Sequence, residues 1–259
     1  MKTHVLRAGT IHEGDWLQAD LVPGYTLAIL DGPYGIGKAG WDKMGVEGLA
    51  DWYRPHLERV SALLAASASM YVWNTAEGWA RLDPVVRAIG WAFRRLIVWD
   101  KRKSPESIGH AALTNWIDLT EVCGFYTRGE PPYAGSPDAF NVWREFVEER
   151  LVQDEWRQRK AVGPRERVPL HPCQKPLIFA ERMIRASTRP GERVLVPFGG
   201  TCREAVVCEW LARSEPEQAR RYDVCELNQD GPDYIGAALA QIRGEDPRQK
   251  AAGQIGLFR

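Results

Sequence analysis

The fold is decided by VLVPFGGT, residues 194–201, where a short apolar strand runs into a glycine pair. A helix is predicted to follow from Cys202 to Ala212. Glycines at such a turn let the backbone approach a ligand at the carboxyl end of a parallel strand, where open α/β sheets bind nucleotides. The glycine pair alone is weak evidence, since many such turns need glycine only for packing. Glu226 ends the next predicted strand, Tyr222–Leu227, where an acidic side chain can accept hydrogen bonds from ribose hydroxyls.

Strand and helix patterns alternate along most of the chain, which favours a parallel sheet with helices on both faces. Apolar runs predict further strands at residues 25–30, 70–73, 93–99, 119–126 and 193–196. Apolar spacing predicts further helices at residues 46–66, 77–89, 176–187 and 232–242. We therefore expect an α/β fold in one domain spanning residues 1–259.

The alternating pattern is interrupted between residues 128 and 170, which we interpret as an insertion. Pro131-Pro132 and Gly135-Ser136-Pro137 indicate loops, and the charged stretch 141–160 is predicted to be a long helix. The interruption divides the domain into residues 1–127, the insertion, and residues 171–259.

The chain carries no net charge, because 34 basic residues balance 34 acidic ones. Any attraction to nucleic acid must therefore come from local patches. Two basic groups are the candidates for contact with DNA phosphates: Lys101, Arg102 and Lys103, and, within the insertion, Arg157, Arg159 and Lys160.

The five cysteines include no closely spaced pair that would indicate a zinc site or a disulfide framework, so we expect no metal. No window approaches the roughly 18 apolar residues that a membrane span requires. These features predict a cytoplasmic protein with reduced thiols and no membrane contact.

Two further segments place polar side chains at tight turns. Asp31-Gly32-Pro33-Tyr34 follows the strand predicted at residues 25–30, and His171-Pro172-Cys173-Gln174-Lys175-Pro176 precedes a predicted helix. Taken alone, the first is an ordinary Asp-Gly turn and the second an ordinary helix-start loop.

Together these segments resemble the DNA amino-methyltransferases of the permuted (beta) class, the N6-adenine and N4-cytosine family, in which an Asp-Pro-Pro-Tyr loop comes first. Residues 171–176 resemble the family's His-Pro-Thr-Gln-Lys-Pro motif, differing only at Cys173. Residues 197–200 resemble its Asp-Pro-Phe-x-Gly-Ser-Gly loop, and Glu226-Leu227-Asn228 resembles the acidic motif of the next strand. Related enzymes that modify protein glutamine or RNA usually carry the glycine loop ahead of the catalytic loop, so the order here favours the DNA class.

The resemblance implies a Rossmann-like methyltransferase sheet that uses S-adenosylmethionine, with residues 1–127 as the catalytic half, 128–170 for target recognition and 171–259 as the cofactor-binding half. It implies that the Asp31 carboxylate and the Gly32 carbonyl accept hydrogens of the target amine, that Pro33 stiffens the loop, and that Tyr34 stacks on a flipped base. The cofactor-binding residues it implies are Asp15, Asp31, Cys173, Lys175, Phe198, Gly199, Gly200, Glu226 and Asn228.

An aspartate in the catalytic loop is commoner in the family's adenine enzymes and a serine in its cytosine enzymes, so Asp31 favours adenine N6 as the target. N4-cytosine remains an alternative. The chain also departs from the family pattern at four positions: Gly32 replaces proline, Cys173 threonine, Val196 aspartate and Cys202 glycine. These departures leave open a catalytically decayed homologue that only binds nucleic acid.

An oxidoreductase would need a GxGxxG motif in its first strand–turn–helix unit, which is absent here. DNA is the expected partner, and a homodimer is left open.

Overall fold

The computed structural model describes residues 1–37, 40, 42–101, 119–134, 140–144, 174–228 and 233–244. The described residues form one sheet of nine strands. The strands are β1 (Lys2–Val5), β2 (Gly9–Glu13), β3 (Tyr25–Leu30), β4 (Leu64–Asn74), β5 (Ala92–Asp100), β6 (Thr120–Arg128), β7 (Val142–Trp143), β8 (Arg193–Val196) and β9 (Arg221–Glu226).

The sheet order is β1-β2-β9-β8-β3-β4-β6-β5-β7. The five strands from β2 to β4 in this order are mutually parallel, and β7 is parallel to β5. Strands β1 and β6 pair antiparallel with their neighbours. The prediction of a mostly parallel sheet is therefore confirmed, and it brings the carboxyl ends of β3, β8 and β9 to one edge.

Helices cover both faces of the sheet, as predicted. On one face, α1 (Leu49–Leu63) and α2 (Ala76–Ala88) pack over residues such as Met70 of β4. On the other, α3 (Leu177–Ser187), α4 (Arg203–Ser214) and α5 (Tyr234–Arg243) share a core with Trp73. Of the described helices, none is long and apolar enough to cross a membrane.

The structure differs from the sequence prediction at three places. The helix predicted to reach residue 66 ends at Leu63, because β4 begins at Leu64 and is longer than predicted. Strands β1 and β2 were not predicted, since their residues are short runs with many polar positions. The predicted helix over residues 141–160 is wrong at its start, where Val142–Trp143 pairs with β5.

Strand β7 forms because its tryptophan has an apolar site to fill. Trp143 is 7% exposed, and its ring lies 4.7 Å from the ring of Phe179, measured between centroids. The sequence prediction missed this strand because the many charged residues that follow Trp143 favoured an exposed helix.

Candidate active site

A cavity of about 370 Å³ opens where β3, β8 and β9 end. Most of the residues predicted to bind the cofactor or the target line it: Asp15, Asp31, Gly32, Pro33, Tyr34, Lys175, Phe198, Gly199, Gly200 and Glu226. The two halves of the chain therefore contribute to the same cavity.

The glycine loop after β8 is packed tightly against β9. The Gly199 amide donates a hydrogen bond of 2.7 Å to the Cys225 carbonyl, and a Cβ added at Gly199 would lie 2.6 Å from a methyl group of Val224. Gly200 has φ of +50°, a conformation that glycine adopts without penalty. Glycine is therefore required at residue 199 by close packing and favoured at residue 200 by the positive φ.

Glu226 holds the glycine loop in place. Its Oε2 accepts a 2.6 Å hydrogen bond from the Gly200 amide, and its Oε1 accepts a 3.1 Å bond from the Asn228 amide. Burial raises the pKa of Glu226, and these backbone donors oppose that shift. A carboxylate has about four acceptor positions, so Glu226 can still accept hydrogen bonds from a ligand in the cavity.

Asn228 lies beside the cavity and not in its wall. Its side chain joins Glu13 to Asp233 through bonds of 3.3 and 3.2 Å, and it faces a neighbouring surface depression. The structure therefore places Asn228 as a support for the end of β9, and a direct contact with a cofactor stays a prediction.

Gly32 occupies a position where no side chain fits. A Cβ there would lie 2.6 Å from the hydroxyl of Tyr53 and 2.9 Å from the ring of Phe198. The departure from the proline of the family motif therefore has a local cause: Tyr53 of α1 and Phe198, which follows β8, both lie against the loop.

The Asp31 carboxylate is bound by a buried lysine. Nζ of Lys175 lies 2.9 and 2.8 Å from the two oxygens of Asp31. It lies 2.9 Å from Glu121 and 3.0 Å from the hydroxyl of Tyr34, which itself donates to Asp31 at 2.8 Å. Glu121 also pairs with Lys101 at the end of β5, which completes a buried network of two lysines and two carboxylates.

The charges in this network shift one another's pKa values. Burial raises the pKa of Asp31, and the adjacent Lys175 opposes that effect. Burial also acts to raise the pKa of Glu121, but Lys175 and Lys101 outweigh it and hold that pKa at about 2. Burial would lower the pKa of Lys175, yet the two carboxylates raise it, so the ammonium stays charged.

Sequence reasoning did not identify Glu121 or Asp42. Glu121 lies in the middle of a strand prediction, 7% exposed, and no motif marks it. Asp42 is fully buried and accepts hydrogen bonds from the amides of Gly35 and Ile36, which fixes the loop after Tyr34. Glu121 binds lysines that are distant in sequence, and Asp42 binds the backbone of a loop. Neither contact produces a periodic pattern in the sequence that could have indicated it.

An aromatic cluster forms the wall around Phe198. Trp16, Trp52 and His56 line the cavity with it, and Trp52 lies 5.6 Å from the Phe198 ring. His56 accepts a 2.8 Å hydrogen bond from the Trp16 indole, and burial lowers its pKa to about 4, so it is neutral at pH 7. The wall is therefore largely aromatic, and its rings can pack against a planar ligand.

Two of the departures from the family motif lie at the two ends of the glycine loop. Val196 lines the cavity with an apolar side chain, 1% exposed. Cys202 is fully buried with φ of +50°, directly before α4. A non-glycine residue in this left-handed conformation costs roughly 1–2 kcal/mol, which the packed loop must offset.

Of the six basic residues predicted to contact DNA, the structure describes Lys101. Lys101 directs its ammonium at Glu121 and its side chain is 19% exposed, so its partner is internal rather than a phosphate. The other predicted DNA contacts, and one predicted cofactor contact, lie outside the described residues: Arg102, Lys103, Arg157, Arg159, Lys160 and Cys173.

Comparisons with known proteins agree with this geometry. The family model described as DNA methylase matches residues 25–240. Type II methyltransferase M1.MboII of Moraxella bovis is 27% identical over 240 residues, covering 83% of this chain and 89% of the relative. DNA adenine methyltransferase YhdJ of Escherichia coli (strain K12) is 28% identical over 217 residues, covering 75% of this chain and 72% of the relative.

Solved structures show the same fold. The PvuII DNA methyltransferase, described as cytosine-N4-specific, superposes with a TM-score of 0.68 at 16% identity, covering 91% of this chain and 86% of that one. The M1.HpyAVI–SAM complex superposes with a TM-score of 0.60 at 16% identity, covering 90% and 98%. The chain belongs to the family of DNA methyltransferases that act on N6 of adenine or N4 of cytosine and use S-adenosylmethionine as cofactor.

Proposed function

We propose that this protein is a site-specific, cytoplasmic DNA methyltransferase whose target is the N6 amine of a flipped adenine. The observation that carries the proposal is the position of Asp31 in one cavity with Glu226 and the glycine loop. A carboxylate that can accept amine hydrogens and a loop that can approach a nucleotide thus lie in one cavity.

The residues of the cavity fit the cofactor of the family. Gly199 leaves no room for a Cβ and Gly200 adopts a positive φ, Glu226 offers acceptor positions for ribose hydroxyls, and Phe198 with Trp52 forms a wall for the adenine ring. When bound, S-adenosylmethionine supplies an electrophilic methyl group on its sulfonium.

The chain's own contribution is to make the target amine nucleophilic. The lone pair of an exocyclic amine is delocalised into the ring, and two acceptors aimed at its hydrogens localise it on nitrogen by position and electrostatics. We assign these acceptors to the Asp31 carboxylate and the Gly32 carbonyl. The base must leave the duplex to reach them, and an aromatic ring at Tyr34, which lines the cavity, provides a stacking surface.

Adenine is favoured over cytosine because Asp31 follows the pattern of the family's adenine enzymes. A relative named as a DNA adenine methyltransferase supports the same assignment. N4-cytosine is the second candidate, favoured by the fold of the cytosine-N4-specific PvuII enzyme. The two amines require the same acceptors, so the geometry of Asp31 serves either.

The test is incubation of the protein with isotopically labelled S-adenosylmethionine and a mixture of genomic DNAs free of N6-methyladenine and N4-methylcytosine, followed by nucleoside analysis. We expect label in N6-methyladenine. Asp31→Asn should reduce the label at least a hundredfold, and Asp51→Asn, an exposed control on α1, should leave it unchanged.

Label in N4-methylcytosine would show that the target base is cytosine, and the proposed mechanism would still apply. An Asp31→Asn variant that retains turnover within tenfold of the wild type would contradict the assigned role of the carboxylate. No incorporation in any DNA by the folded wild-type protein would favour the decayed nucleic-acid-binding homologue.

A further inference from the structure

Five carboxylates line the cavity, and four of them are already engaged. Asp31 binds Lys175, and Glu226 binds the amides of Gly200 and Asn228. Asp15 accepts from the Leu17 amide at 3.0 Å, and Asp42 accepts from the amides of Gly35 and Ile36. The fifth carboxylate belongs to Glu204, in the first turn of α4.

Among the described residues, Glu204 is the carboxylate of this wall that no other residue binds, because its only hydrogen-bond donor is its own backbone amide. It is partly buried, and its accessible surface faces the cavity. Burial raises its pKa to about 7 and the charge of Asp31 adds to that effect, while its own backbone amide, Arg203 and Lys175 act to lower it. A carboxylate that lines a cavity and has no cation bound to it can accept hydrogen bonds from a cationic ligand, and a shifted pKa in a cavity wall is typical of a functional site.

The surrounding wall identifies the kind of cation. S-adenosylmethionine carries a ribose, for which Glu226 is placed, and an α-amino acid group at its methionine end. Val196, at the position where family members have an aspartate, presents only an apolar side chain to the cavity. Val196 ends β8 and Glu204 lies in the first turn of the following helix, so the two residues flank the glycine loop. Glu204 is also close enough to Asp31 and Lys175 for their charges to act on it.

We propose that Glu204 binds the α-ammonium group of the methionine moiety of S-adenosylmethionine and so replaces the aspartate that the chain lacks at residue 196. The negative first turn of α4 thus becomes part of the cofactor site. The proposal rests on the family's cofactor and is independent of which DNA base is methylated.

The test compares two ligands that share adenine and ribose but differ in the amino acid group. S-adenosylhomocysteine carries the α-ammonium, and 5′-methylthioadenosine lacks the amino acid altogether. Calorimetry with Glu204→Gln should show S-adenosylhomocysteine bound about ten- to a hundredfold more weakly, since one charge-assisted hydrogen bond is lost. Affinity for 5′-methylthioadenosine should stay within twofold.

Glu217→Gln removes an exposed carboxylate near the other end of α4 and is the matched control, for which neither affinity should change. Melting temperatures verify that each variant is folded. An unchanged affinity of folded Glu204→Gln for S-adenosylhomocysteine, or an equal loss for both ligands, would overturn the proposal.

The wild-type protein allows a second test that depends on no variant. Binding of an ammonium requires ionised Glu204, so affinity for S-adenosylhomocysteine should rise about tenfold or more between pH 5.5 and 7.5, relative to 5′-methylthioadenosine. The charged groups that act on Glu204 are Asp31, Arg203 and Lys175. Burial lowers the pKa of His56, which lines the same cavity, to about 4, below this range. A pH-independent ratio of the two affinities would overturn the assignment.

Discussion

Nζ of Lys175 lies within 2.9 Å of both oxygens of Asp31, the carboxylate to which we assign the target amine. The ammonium and the amine therefore compete for the same acceptor. Glu121, 2.9 Å from the same nitrogen, offers the ammonium a second partner. We infer that Glu121 acts as a positioning residue that draws Lys175 away when the base enters.

Glu121→Gln should therefore lower kcat between about ten- and a hundredfold, because Lys175 would be left more firmly on Asp31. Cofactor affinity should not change. The charge of Glu121 raises the pKa of Asp31, so its removal should move the acidic limb of the kcat/KM profile to lower pH. Glu130→Gln, an exposed control, should do neither. A fall in kcat without a shift of the acidic limb would indicate a merely structural role.

Gly32→Ala should destabilise the protein by about 1–3 kcal/mol, because the added methyl would overlap the Tyr53 hydroxyl and the Phe198 ring. Chemical denaturation measures the loss. Gly40→Ala is the control on the same loop region, where a Cβ meets no atom within 4 Å. Tyr53→Phe should recover part of the loss by removing the closest atom. Equal stabilities of the two alanine variants would contradict this packing.

Glu226→Gln should weaken S-adenosylhomocysteine and 5′-methylthioadenosine alike, by roughly 1–3 kcal/mol, since both ligands carry the ribose. Glu204→Gln should weaken only the first. A loss of affinity for both ligands therefore identifies a residue at the ribose end of the cavity, and a loss for S-adenosylhomocysteine alone identifies one at the amino acid end. Unchanged binding of 5′-methylthioadenosine by Glu226→Gln would remove Glu226 from the ribose site.

The backbone of the site was predictable because its signals are local. Residues 25–34 and 193–200 each combine a short apolar strand with Gly or Pro at its end, and such turns are determined within a few residues. The alternation of strand and helix then sufficed to place Asp31 and Glu226 at the same edge of a parallel sheet.

The electrostatic network was not predictable, because its partners are distant in sequence. Lys175 was predicted near the cofactor, but its partner Asp31 lies 144 residues earlier in the chain. Its other partner, Glu121, lies in β6. Lys101 was predicted as a DNA contact from its basic neighbours, yet it points to Glu121. Charge patterns along a chain do not show which side chains turn inward.

Contact with DNA through the insertion stays a prediction that salt dependence can test. Each phosphate neutralised on duplex DNA changes log K by about −0.9 per log unit of salt. Replacing Arg157, Arg159 and Lys160 together by alanine should flatten that slope and weaken DNA binding, with little effect on the cofactor. Lys101→Ala should leave the slope unchanged, because Lys101 pairs with Glu121. An unaltered slope in the triple variant would place the DNA surface elsewhere and favour a dimer contact for the insertion.

Val196→Asp tests whether Glu204 has taken the place of the missing aspartate. In the wild-type background the new carboxylate would share a buried wall with Glu204, and like charges in such a wall disfavour one another, so affinity for S-adenosylhomocysteine should not rise. In the Glu204→Gln background the same substitution should restore affinity by about tenfold, because one carboxylate again faces the ammonium. Calorimetry on the four proteins, with melting temperatures to verify folding, measures the difference between the two backgrounds. An equal gain in both would show that the two positions bind independently, and Glu204 would then have a different ligand.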